Sequence, residues 1–303
     1  MEEVQEAMER SDGSSQVLVG VDGSEGNRHA LEWALTESRI RGAGLIAVYA
    51  WHIPVFAYSA PYFVPLPTDE MVEDGQKMLR ETLAETGGDP DTADLRVAEG
   101  MPYNVLRDLA REPGVDLVVV GSRGRSTAGD LFLGSTSHAL SHHCPKPVVI
   151  VPTGKHRAPV RPRVGHIVTG TDGSSGADAA VRWAAEEAKR SDSLLEVVTA
   201  WTWTAPFFPT GTDLSTPIDQ VLKKAADDVL AQTVDRLDLH GLTVKLTAVE
   251  GAAADVLVER SEQADMLVVG RRGLGPTLEL VLGSVSHSCT HRSNVPVVVV
   301  PVT

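Results

Sequence analysis

The stretch "DLVVVGSRGRSTAGDLFLGST", Asp116 to Thr136, begins with a short unbroken apolar run and stops it abruptly at glycine. Such a run, rich in valine, has the pattern of a strand buried on both faces. Gly121 closes it, Gly124 follows, and after nine residues Gly134 and Ser135 open a polar segment. Strand, glycine turn and helix start form the repeating unit of a doubly wound α/β sheet. "DMLVVGRRGLGPTLELVLGSV", Asp265 to Val285, reproduces the spacing with Gly270, Gly273, Gly283 and Ser284. A second copy at identical spacing implies that the chain contains the whole unit twice.

Comparison outward from the two loops supports this. "VLVGVDGSEGNRHALEWAL" from Val17 matches "HIVTGTDGSSGADAAVRWAA" from His166, and "VAEGMPYNVL" from Val97 matches "AVEGAAADVL" from Ala248. "PVVIVP" at Pro147 matches "PVVVVP" at Pro296. Asp22 and Asp172 stand 150 residues apart, Gly121 and Gly270 149 apart. This is a duplicated domain, not a solenoid of short repeats. The expected domains are residues 1–152, with an acidic and disordered start at 1–15, and residues 164–303. The join at 153–163 lies in "PTGKHRAPVRPR", whose prolines and basic residues predict a short stiff linker.

Each half alternates apolar runs with amphipathic ones. "SEGNRHALEWALTESRIRG" predicts a helix capped by Ser24, ended by Gly42, and buried along Ala30, Trp33 and Ala34. "TDEMVEDGQKMLRETLAETGG" predicts another, with Met71, Met78 and Leu79 inward, and "PYNVLRDLAREPG" a short third with proline in its first turn. Strands separated by helices give a parallel sheet covered on both faces and wound by right-handed crossovers.

Composition excludes several classes. Of 303 residues, 42% are hydrophobic and 22% charged, a soluble balance. The net charge of −14 argues against nonspecific binding to nucleic acid or to anionic membrane. It does not argue against a small anion, because backbone dipoles act locally. Two cysteines, Cys144 and Cys289, fall at unmatched positions and read as core thiols. The acidic start is unlike a signal peptide and no apolar run reaches membrane-helix length, so a cytoplasmic protein is expected.

The loops carry the chemistry. Gly121 and Gly270 sit at the carboxyl ends of strands, where open parallel sheets bind ligands. Without a Cβ, Gly121 and Gly124 allow positive φ and close approach of a ligand. Helix-start N–H groups beyond Gly134 suit a phosphate, and Ser135, Thr136 and Ser137 have hydroxyls to add. Gly270, Gly273, Gly283, Ser284, Val285 and Ser286 occupy the matching positions. The plainer alternative is that the glycines shape turns and Ser135 caps a helix; the repetition favours phosphate. Arg123, Arg125, Arg271 and Arg272 lie within reach of phosphate oxygens, although loop arginines are usually solvated. Asp22 and Asp172 end the first strands, as turn residues or as acceptors for a base or ribose. Asp130 and Glu279 align in the loops, as solvated carboxylates or as assistants to Mg²⁺. His138 with His142, and His287 with His291, share helix faces but lack a third metal ligand, so no metal site is expected. No Walker loop, kinase signature or oriented general base stands out, which favours binding over turnover. Two aromatic, proline-rich loops, "HIPVFAYSAPYFVPLP" and "TWTAPFFPTGTDLSTP", either close over a ligand or pack at a contact.

These residues identify a resemblance. Each half is similar to the universal stress protein family, and the whole resembles a tandem member of its ATP-binding branch. The signature G-2x-G-9x-G-[ST] is met by Gly121, Gly124, Gly134, Ser135 and by Gly270, Gly273, Gly283, Ser284. The resemblance implies five-stranded parallel sheets of order 3-2-1-4-5 flanked by helices. It implies an aspartate near adenine and ribose, here Asp22 and Asp172, and a strand-two residue packed by adenine, here Ala50 and Ala200. It implies ATP as ligand, pairing of last strands between the two halves, a homodimer, an unidentified protein partner, and a regulatory role in stress. A slow ATPase or autophosphorylating enzyme is the alternative. Gly170 and Thr171 stand where the first half has Gly20 and Val21, and His166 makes that strand less apolar, a departure from the first half's pattern beside the second of the two expected sites.

Overall fold

The structure, a computed structural model, describes residues 15–52, 68–124, 133–153, 165–203, 217–272 and 282–302. The expected disordered start and linker therefore lie almost wholly outside the described residues, as do most of the two aromatic loops. The chain divides into two units, residues 1–155 and 156–303. The first runs β1 (Gln16–Gly20), α1 (Glu25–Arg41), β2 (Gly44–Trp51), α2 (Thr68–Glu85), β3 (Asp94–Glu99), α3 (Pro102–Leu109), β4 (Val115–Gly121), α4 (Ser135–His143) and β5 (Val148–Val151). The second runs β6 (His166–Gly170), α5 (Ser175–Ser191), β7 (Leu194–Trp201), α6 (Ile218–Arg236), β8 (Val244–Glu250), α7 (Ala253–Ser261), β9 (Met266–Gly270), α8 (Ser284–Arg292) and β10 (Val297–Val300).

The strand order is β3-β2-β1-β4-β5 in the first unit and β8-β7-β6-β9-β10 in the second. Every pairing within a unit is parallel. The order reverses beside β1 and β6, since β1 pairs with β2 on one side and β4 on the other. That switch leaves a crevice at the carboxyl ends of the central strands, where the glycine loops begin. The sheets are apolar where helices cover both faces: Val17, Leu18, Val19, Leu117, Val118 and Val119 are fully buried, as are Ile167, Val168, Met266 and Leu267.

Local signals set the helix ends. Ser24 caps α1 by accepting the Asn27 N–H at 3.3 Å, and Ser174 caps α5 by accepting that of Ala177 at 3.2 Å. Gly42 ends α1 in the left-handed conformation at φ 61°. The second copy uses Asp192 there at φ 52°, a residue that tolerates this region better than most. Ala30 and Ala34 are fully buried and Trp33 nearly so, which sets the inward face of α1. Both cysteines are buried, and burial pushes the Cys289 thiol up to about 12.

A carboxylate on a strand lies inside the second unit. Glu196 of β7 receives hydrogen bonds from Thr247 of β8 at 2.8 Å and from Arg260 of α7, with Lys245 at 3.4 Å. His166 Nε2 stands 3.1 Å from its other oxygen. Burial pushes the Glu196 carboxyl up, but the Thr247 and Arg260 hydrogen bonds and the charges of Arg260 and Lys245 outweigh it and hold it below the usual range. The polar start of β6 is thus explained by a buried acid beside it. The first unit has Ile46 at the matching register position.

Candidate functional site

Three strand-end turns meet at the carboxyl edge of each unit. After β1, Asp22 Oδ1 accepts from the Ser24 N–H at 2.9 Å and from the Ser24 hydroxyl at 2.7 Å. After β6, Asp172 Oδ1 accepts from the Ser174 N–H at 3.0 Å. Each aspartate therefore does shape its turn. The same bond fixes where the carboxylate points: a Cβ on Gly124 would stand 2.6 Å from Asp22 Oδ2. Asp22 and Gly124, 102 positions apart in sequence, are brought into contact.

The glycines of the loops do a different job from the one expected. Of the glycines in the turns after β1 and β6 and in the two loops, positive φ occurs at Gly23 (74°) and Gly173 (78°), and not at Gly121, Gly124, Gly134, Gly270 or Gly283. What these five provide is room. A Cβ on Gly270 would overlap the Gly176 carbonyl at the start of α5, and a Cβ on Gly176 would overlap the Arg272 carbonyl. Loop and helix approach backbone to backbone, which only glycine permits.

The starts of α4 and α8 correct two further expectations. The capping positions are Gly134 and Gly283, and neither helix has a side-chain cap. Ser135 and Ser284 are the first helical residues, so the plain capping role does not fall to Ser135. Neither capping residue has a side chain to take the first N–H groups of its helix. Ser137 and Ser286 are buried and donate their hydroxyls to the Gly121 and Gly270 carbonyls, each at 2.6 Å. A hydroxyl has one proton to give, and in this arrangement these two serines use it to tie helix to strand end. The glycine caps are held in turn, Gly134 N–H by Ser122 O at 2.7 Å and Gly283 N–H by Arg271 O at 2.8 Å.

In the second unit these parts enclose a cleft of about 400 Å³. Its floor is apolar, from Val198, Ala200, Leu257 and Val269. Its polar and glycine lining comes from Asp172, Gly270, Arg272, Gly283, Ser284 and Ser286, with Val285 beside them. Asp172, Ala200, Gly270, Arg272, Gly283, Ser284, Val285 and Ser286 all line this one cleft, Arg271 does not, and Gly273 lies outside the described residues. The Arg272 Nε is buried and has no hydrogen-bond partner among the described residues. Sequence reading missed Ala177, Ala253 and Leu257, which also line it. Their signal is weak, since small or apolar residues on helices look like ordinary core.

In the first unit the matching residues are set at the same strand and helix ends. Ala50 is half-buried near the end of β2 beside Ala98, and Thr136 follows Ser135 in the first turn of α4. Arg123 is turned to the Thr153 carbonyl, at 2.6 Å from its Nη2. Asp130, Glu279 and Arg125 lie outside the described residues. His138 and His142 stack at 4.4 Å between ring centroids and His287 and His291 at 4.3 Å, and among the described residues no cluster of three metal-binding side chains occurs. No helix among them is long and apolar enough to cross a membrane.

The fold and site define a tandem pair of doubly wound α/β domains with a cleft beyond the carboxyl ends of the sheet. The profile of the Universal stress protein family matches residues 14–152 and 164–301, so the chain belongs to that family. A universal stress protein of Mycolicibacterium smegmatis is 34% identical, covering 94% of this chain and 96% of its own length. One from Mycobacterium tuberculosis is 28% identical over 96% of this chain and 98% of its own. The crystal structure of a universal stress protein from Archaeoglobus fulgidus shares the fold with a TM-score of 0.67 at 22% identity, covering 94% of this chain and 96% of that one.

Proposed function

We propose that the chain is an ATP-binding regulatory protein of the stress response, with a nucleotide site at the carboxyl edge of each unit. The observation that carries this reading is the cleft of the second unit, which gathers Asp172, Ala200, the glycine-loop ends and the uncapped start of α8 around about 400 Å³. Ligand pockets commonly combine an apolar floor with a few convergent polar groups. The apolar floor by Ala200 suits a purine and Asp172 suits ribose hydroxyls. The α8 N–H groups with Arg272 suit the phosphates. In the first unit Asp22, Ala50, Gly121, Gly124, Gly134, Ser135 and Thr136 take the same parts. Mg²⁺ would accompany the triphosphate. The chain would act in the cytoplasm as a homodimer, with its two halves paired through their last strands, and show a protein partner a surface that depends on nucleotide.

Calorimetric titration of nucleotide-free protein with ATP is the test. Heat saturating at up to two ATP per chain is expected. Ser284→Asp places a carboxylate where phosphates would lie while suiting a helix start, so it should weaken the second site at least roughly tenfold without unfolding it. Absence of heat with the wild type would reject the reading. ADP released in the same samples would point to the slow ATPase instead.

A further inference from the structure

The two glycine loops are alike in sequence spacing and unlike in what holds them. In the first unit, the Ser122 hydroxyl lies 3.0 Å from the Thr153 hydroxyl and accepts the Thr153 N–H at 3.0 Å. The Thr153 carbonyl, fixed by that pair, takes the Arg123 guanidinium. The Thr153 methyl fills the space over Gly26, where a Cβ would come within 2.7 Å of it. The floor differs as well. Asn27 is buried and ties β1 to its turn, donating to Gly20 O at 2.8 Å and accepting the Asp22 N–H at 3.1 Å.

The second unit has none of these side chains at the matching places. Arg271 stands for Ser122, Val302 for Thr153 and Ala177 for Asn27. Valine has no hydroxyl to form the clasp, and the Arg272 carbonyl, in place of a threonine side chain, meets Gly176. Arg272 lines the cleft with its Nε buried and unpartnered among the described residues, and Ala177 lines it without filling it.

We infer that the two sites are unequal by construction: a Ser122–Thr153 clasp withholds Arg123 from the nucleotide in the first unit, and the second unit is the high-affinity site. Ser122 and Thr153 are positioning residues that act through Arg123. The inference rests on the nucleotide reading above.

Calorimetry with ATP on full-length protein tests it. The wild type should titrate in two steps separated by roughly tenfold or more, the worth of a charge-assisted phosphate contact. Ser135→Asp should remove the weak step and Ser284→Asp the tight one. Adding Ser122→Ala with Thr153→Val to Ser284→Asp should tighten the remaining first site about tenfold. Adding Arg123→Ala should abolish that gain, which a merely structural clasp would not explain. Thr153→Ser, which keeps the hydroxyl, should give no gain. If the double variant does not fold, Thr153→Val alone, copying Val302, serves. Two equal wild-type sites, a tight step that survives Ser284→Asp, or an unclasped first site with unchanged affinity would each overturn the inference. Absence of binding by every form would reject the nucleotide reading itself, a different outcome from equal sites.

Discussion

The loop glycines are kept for space, and the two copies keep it to different degrees. At Gly270 an added methyl meets the backbone of Gly176, which cannot swing aside. At Gly121 the nearest atoms are the Arg123 and Gly26 carbonyl oxygens at 3.3 and 3.5 Å. Gly270→Ala should therefore destabilise its unit by about 1–3 kcal/mol, in the range of overpacked cores, and Gly121→Ala by clearly less. Urea unfolding of the two variants reads the difference; equal losses would contradict the geometry. This is also where sequence was least informative about reasons. The spacing of the glycines was legible, and it pointed to the right strand and helix ends. It suggested left-handed turns, which fall instead on Gly23 and Gly173, because a glycine letter does not say whether φ or a neighbour's backbone demands it.

At the scale of the element, capping and burial were legible because they are local. Ser24, Gly42 and the Ala30–Trp33–Ala34 face act within one helix turn or two. The Glu196 cluster was not, since its partners come from β6, β8 and α7, 30 to 64 residues away. A glutamate inside "LEVVTAW" looks like an outward strand position until those partners are placed over it. The Ser122–Thr153 pair was hidden in the same way, 31 residues apart. Glu196 has a lower affinity for protons folded than unfolded. Its contribution is therefore complete above the unfolded value of about 4.3 and is lost as pH falls through the lower folded value. Glu196→Gln should cost about 3 kcal/mol at neutral pH by leaving Arg260 without its counter-charge, and should flatten the acid side of the second unit's stability curve. Chemical denaturation between pH 3 and 7 measures both, and an unchanged acid limb would show that the carboxylate does not carry the dependence.

For the whole molecule, the duplication was the most legible feature, because four matched segments in the same order leave no other arrangement. What the repeat could not convey is the weight of a few differences around the glycine loops: Ser122 against Arg271, Asn27 against Ala177, Thr153 against Val302. Ligand that binds only the native state stabilises by mass action, about 2.7 kcal/mol at a hundred times its dissociation constant. Scanning calorimetry should show ATP raising the second unit's transition first, with Ser284→Asp abolishing that shift at the same concentration. A transition that ATP does not move at any concentration would count against binding to the native chain.

The buried bonds from Ser137 to Gly121 O and from Ser286 to Gly270 O have a consequence for timing. Each joins the start of a helix to the end of the strand beside it, so the two cannot separate without stranding a buried carbonyl. The fan of N–H groups is thus rigid before any anion arrives. The entropy of arranging it is lost when the chain folds and not again when the pocket fills. On the nucleotide reading such a site is preorganised, and its discrimination would lie in shape and charge already in place.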